Sequence, residues 1–202
     1  MGPGERVWGY TGATGMVQGL SAGYFLWDLV MSAKDMGLHG PGALVHAASS
    51  LAVSLLGFVS LLVTGAWGMG ADSLLQRPFC NYYGLNFILY ELSTPFLNIH
   101  WFMDKLQMTG STAQLINGIT LITTFGCSRL LWGTYQSVRM YQDIWTAFRT
   151  PGGLPVPPWL AAAYVISNTT LSVLNVYWFG RMITRLRNRF EKPIKGDEKK
   201  KS

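Results

Sequence analysis

Five stretches of this chain carry almost no charge, and each is long enough to cross a bilayer. Between Val7 and Trp27 no side chain ionises apart from tyrosines, and from Pro41 to Ala71 the only ionisable group is His46. Phe79 to Ile99 holds one charged residue, Glu91, while Leu106 to Ser128 and Pro151 to Gly180 hold none. Crossing about 30 Å of hydrocarbon at about 1.5 Å per residue takes roughly 20 residues. One such run fits a buried core helix. Five in 202 residues leave too little polar sequence to cover a water-facing surface, since only 13% of the chain is charged against roughly 25% in soluble domains. The chain therefore reads as all-α, a polytopic transmembrane helix bundle or barrel of about five spans.

Helix breakers divide these runs. Helix one is expected over Arg6 to Ser32, with Gly15, Gly19 and Gly23 in register as a small-residue face for a packed neighbour. It reads as a true span, because Glu5 sits beside Arg6 and no small-residue cleavage site ends the apolar core. Helix two is expected over Gly42 to Trp67, followed by a loop through Asp72 to Arg77-Pro78. Helix three runs from Phe79 to Ile99, where Pro95 frees the Glu91 carbonyl and invites a kink. A polar connection then spans His100 to Thr112. Helix four runs from Ala113 to Trp132 and is unusually polar, with Asn117, Thr120, Thr123, Thr124 and Ser128.

Beyond it, Val138, Tyr141, Ile144, Trp145 and Phe148 oppose Arg139, Asp143 and Arg149. That period makes an amphipathic helix, which either lies at the interface or continues helix four. The prolines and glycines from Pro151 to Pro158 break the chain before helix five, Trp159 to Gly180. Asn168-Thr169-Thr170 matches a glycosylation pattern but lies within this span, so it is discounted. Cys80 and Cys127 form no metal or disulfide spacing and read as packing residues; no metal or other cofactor is expected.

Most of the net charge of +6 sits in the tail, in Arg181, Arg185, Arg187, Arg189, Lys192, Lys195 and Lys199-Lys200-Lys201. Positive flanks stay cytosolic, which puts the C-terminus in the cytosol and, with five spans, the N-terminus in the lumen. The tail abuts a span and lacks interleaved aromatics, so anionic lipid headgroups, not nucleic acid, are its expected partner. Lys199-Lys200-Lys201-Ser202 looks like a dilysine signal returning membrane proteins to the endoplasmic reticulum.

Four ionisable residues lie within the apolar runs: Asp28, His46, Glu91 and Arg129. Charge in hydrocarbon is expensive and normally faces a protein interior or wet cavity. Asp28 and Arg129 read either as interfacial anchors or as inward groups, with Arg129 paired to Glu91 or Asp28. His46 reads either as a packing residue or as a proton-transfer group.

The blocks Gly23 to Asp28, His46, Glu91-Leu92-Ser93-Thr94-Pro95-Phe96-Leu97-Asn98 with Trp101, and Cys127-Ser128-Arg129 through Tyr135 resemble, in order, those of the TLC-domain family. That superfamily takes in ceramide synthases and smaller endoplasmic-reticulum proteins of lipid homeostasis. The resemblance implies residues 1–190 as a TLC-type transmembrane domain, with 191–202 as the basic cytosolic tail. It also implies a helical enclosure for lipid chains, lined here by Asp28, Glu91, Ser93, Thr94, Asn98, Arg129 and Tyr135. Family members typically carry a further span ahead of the helix resembling this first one, so the chain reads as short at its N-terminus.

Ceramide synthases carry adjacent histidines and later a pair of aspartates. This chain has Val45-His46-Ala47 and no such pair after Arg129. The expected function is therefore to bind, sense or move a phospholipid or sphingolipid in the endoplasmic-reticulum membrane. The alternative is an acyltransferase with His46 as general base and acyl-CoA as donor. A solute pathway lacks the paired broken helices and repeated halves it would need, and a structural interaction protein is the remaining option.

Overall fold

Where the helices break decides this fold. A computed structural model describes residues 1–56, 79–151 and 156–191. The second half of helix two with its loop to Arg77-Pro78, most of the Pro-Gly break after Pro151 and the tail from Lys192 lie outside the described residues. Among the described residues every regular element is a helix, as expected.

Helix one is two helices. α1 covers Pro3–Trp8 and α2 covers Gly12–Lys34. Thr11 caps α2 by accepting from the Thr14 amide, while the Thr14 side chain accepts from the Thr11 amide; two otherwise orphaned donors are satisfied at the break. The buried face of α2 is Gly15, Gln18, Ser21, Phe25 and Ser32. Gly19 and Gly23 stand exposed, so the glycine register does not form the expected face among the described residues. A short α3, Met36–His39, turns the chain into α4, Pro41–Leu56, which packs along α2 and the last helix.

Helix three comes in three pieces: α5, Asn81–Phe87; a 3-10 segment, Ile88–Ser93; and α6, Thr94–Lys105. Pro95 sits in the first turn of α6, where its missing N–H costs nothing. The expected polar connection from His100 is therefore shorter, because α6 continues to Lys105. It is closed by Asp104, which accepts from Gln114 at 2.5 Å and Thr109 at 3.0 Å.

Helix four and the amphipathic segment form one rod: α7, Thr112–Phe125; a π-helical segment, Gly126–Trp132; and α8, Gly133–Arg149. α8 divides its expected apolar face, burying Ile144 and half-burying Tyr141. Its buried face is Gly133, Gln136, Ser137, Met140, Asp143 and Ile144, while Val138, Trp145 and Phe148 are exposed. The last helix, α9, runs Pro158–Glu191 and buries Tyr164, Asn168, Leu171 and Asn175 along one stripe. Asn168 accepts a hydrogen bond from Tyr141 at 2.7 Å, so the discounted glycosylation site faces inward.

About five helices able to span a membrane were expected. Among the described residues one, over Pro158–Asn188, is long and apolar enough by length and composition. Gly, Ser, Thr and Gln dilute α2, α4 is described only to Leu56, and helix three is broken by its 3-10 segment.

Candidate functional site

Arg129 lies on the π-helical segment, and its position follows from Pro95. A proline at 95 cannot donate to the Glu91 carbonyl, so the preceding turn tightens and the Thr94 amide bonds Glu91 instead of Tyr90. The Tyr90 carbonyl then keeps an accepting lone pair, and Arg129 Nε fills it at 2.8 Å. Arg129 Nη1 donates to Asn175 Oδ1 at 3.2 Å, and Nη2 stands 3.5 Å from Glu91 Oε1. The guanidinium also lies 5.0 Å from the Phe125 ring centroid. This charge is 7% exposed, held mainly by neutral acceptors. Tyr90 closes over Gly133, where any Cβ would overlap its ring.

Glu91 connects this arginine to a small cavity. Its Oε2 accepts from the Thr94 hydroxyl at 2.7 Å, and its side chain remains 25% exposed. The cavity is about 40 Å³. Its polar lining comes from Gln18 and Ser21 on α2, His46, Ser50 and Ser54 on α4, Glu91, and Asn168 on α9. Gln18 can lie across α5 because Gly84 is beneath it; a Cβ there would come within 2.6 Å of the amide. His46 itself packs against the rings of Phe25, at 6.2 Å, and Trp178, at 5.4 Å.

The structure thus gathers His46, Glu91, Thr94 and Arg129, with buried Ser93 behind them bonding the Tyr90 carbonyl. Three other residues expected in the interior lie elsewhere. Asp28 is half-buried near the end of α2 and does not line the cavity. Asn98 is exposed because α6, which buries no residue, runs along the edge of the bundle beside α7. Tyr135 is 50% exposed because it falls opposite the buried face of α8, where it accepts from Arg139. The sequence reading missed Asn175, although Asn168 and Asn175 fall one heptad apart on the uncharged part of α9.

A second buried ion pair also escaped it. Arg6 on α1 forks onto Asp143 of α8, with Nε to Oδ2 at 2.5 Å and Nη2 to Oδ1 at 2.8 Å, and the Tyr83 hydroxyl donates to the same carboxylate. Burial pushes the Asp143 carboxyl up, but the hydrogen bonds from Arg6 and Tyr83 outweigh it, and the group lies below its usual range. Beside this pair, a cleft of about 760 Å³ opens between α1, the start of α2, α5 and the end of α8, walled by Trp8, Tyr10, Tyr82 and Thr150 among others.

The fold and site define an all-helical bundle organised around a buried arginine, with its amides and hydroxyls turned inward. The chain belongs to the TLC domain family, whose family model matches residues 2–184. It is 36% identical to an uncharacterized TLC domain-containing protein of Schizosaccharomyces pombe, over 92% of this chain and 56% of the relative. Topoisomerase I damage affected protein 4 of Saccharomyces cerevisiae is 32% identical over 88% of this chain and 57% of its own length. TLC domain-containing protein 4-A of Xenopus laevis is 25% identical over 86% of this chain and 60% of its own. The chain thus spans a little over half the length of these relatives. No solved structure matches it.

Proposed function

We propose that this chain is a multi-pass membrane protein of the endoplasmic reticulum that binds, senses or moves a membrane lipid. In this reading residues 1–190 form the transmembrane domain and 191–202 a cytosolic basic tail. The observation that carries it is that the bundle buries charged and amide side chains while large apolar ones face outward. Arg129, Asp143, Gln18, Asn168 and Asn175 are buried, while Leu20, Trp27, Ile166, Val173 and Val176 are more than half exposed. Soluble monomers rarely show such contiguous apolar surface; hydrocarbon outside and polar pairs inside is what a membrane-embedded bundle requires. Family membership and the apolar helix at Pro158–Asn188 support the same reading.

A lipid role is supported by the cavity at Glu91 and by the larger cleft, whose volume is in the range of small-molecule sites. Native mass spectrometry of the protein purified from its own membranes should find a bound lipid, and Glu91→Gln should lower its occupancy. An unliganded protein in both forms rejects the proposal. A second reading, acyl transfer with His46 as general base, is favoured by His46 and Glu91 sharing one cavity. It predicts that His46→Ala abolishes transfer from acyl-CoA to a sphingoid base in isolated membranes; equal transfer by both forms removes it.

A further inference from the structure

We infer that the cavity between α2, α4, α9 and the 3-10 segment seats the uncharged hydroxyl headgroup of a membrane lipid, of the sterol or diacylglycerol kind. This rests on the lipid-handling reading above and narrows it to a ligand class.

The first argument is charge. Among the described residues Glu91 supplies the only formal charge on the cavity wall from an acid or strong base, and that charge is already engaged by Thr94 at 2.7 Å and by Arg129 at 3.5 Å. Arg129 in turn directs its donors to the Tyr90 carbonyl, Asn175 and Glu91. A phosphate entering here would have to draw Arg129 off partners that hold it 7% exposed, and an ammonium would have to displace it from Glu91. Either leaves a buried charge uncompensated, which is strongly unfavourable. Gln18, Ser21, Ser50, Ser54 and Asn168 are neutral, and together they offer both donors and acceptors. A hydroxyl needs both and brings no charge.

The second argument is size. At about 40 Å³ the space is a few times the roughly 10–15 Å³ that one water needs. It accepts a hydroxyl but not a phosphocholine. The third is the apolar part of the wall, where Phe87, Ile88 and Leu171 line the same cavity. These apolar side chains suit a lipid body leaving past Glu91, a lining residue that stays a quarter exposed.

The test uses the full chain in phosphatidylcholine nanodiscs with three diazirine photoprobes: a sterol, a diacylglycerol and a phosphatidylcholine. The expected result is labelling of peptides from α2, α4 or the 3-10 segment by a neutral probe, competed by its unlabelled parent, with little labelling by the phosphatidylcholine probe. Which neutral probe labels identifies the source of the hydroxyl. Ser50→Leu, which fills the cavity, should lower labelling about fivefold or more, the worth of a hydrogen bond, and Ser50→Thr should preserve it. If Ser50→Leu loses its monodisperse elution, Ser50→Ala, which removes only the hydroxyl, serves instead. Neutral labelling indifferent to these variants overturns the inference. So does phosphatidylcholine labelling that depends on Ser50, although the lipid-handling reading then survives. No labelling by any probe, with no co-purified lipid, removes both.

Discussion

Arg129 cannot shed its charge and brings five donors that must be placed. Its placement ranks its partners. The Tyr90 carbonyl at 2.8 Å is a full hydrogen bond, Asn175 at 3.2 Å is a long one, and Glu91 at 3.5 Å is marginal by geometry. Arg129→Met should therefore cost roughly 2–3 kcal/mol, the range for hydrogen bonds to charged groups plus the stranded acceptors. Glu91→Gln should cost no more than about 1 kcal/mol, as for a partly exposed ion pair. Thermal unfolding of both variants in the same detergent checks the order; equal losses would mean that the carboxylate, not the carbonyl, holds the arginine. Arg129 and Glu91 were recognisable in the sequence as charges in an apolar run, with Glu91 one of two partners open to an inward-facing arginine. The Tyr90 carbonyl was not, because a backbone acceptor leaves no mark in side-chain identity and becomes available only through the turn that Pro95 tightens.

The two irregular segments, 3-10 over Ile88–Ser93 and π over Gly126–Trp132, pack against each other. Just past the π segment, Tyr90 of the 3-10 segment lies over Gly133. Gly133→Ala should cost about 1–3 kcal/mol by overpacking, although alanine favours a helix over glycine by up to about 1 kcal/mol. A raised melting temperature would show that the ring moves aside freely. Helix positions were largely legible from uncharged runs and breakers, but the polar contacts of α8 were not. The amphipathic rule assumes water outside and apolar contacts within. Here Gln136 donates to Asn86, Asp143 receives Arg6, and Trp145 points away. The break at Thr11 was missed because Gly9 and Gly12 were absorbed into one apolar run, and with it the separate helix that carries Arg6.

For the molecule as a whole, the Arg6–Asp143–Tyr83 cluster ties the first helix to α5 and α8, and the Cys80 amide bonding the Val7 carbonyl at 2.7 Å reinforces it. Because folding lowers the Asp143 pKa from its ordinary 3.8, the cluster's stability is fully present above that value. It disappears only as pH falls through the lower folded one. Thermal stability in detergent should thus gain nothing from this group between about pH 5 and 8 and drop in stronger acid. Asp143→Asn should cost roughly 3 kcal/mol by leaving Arg6 buried without its counter-charge and should blunt that acid-side drop. A variant as stable as the wild type would mean that the first helix docks by apolar contact alone.

Arg129 and Asp143 ride on the same uninterrupted shaft, fourteen positions and about 21 Å apart. The surplus residue of the π turn sets the angular phase between them. A rotation of the rod about its axis at Arg129 would therefore reach the partner of Arg6 with no break in the helix between them.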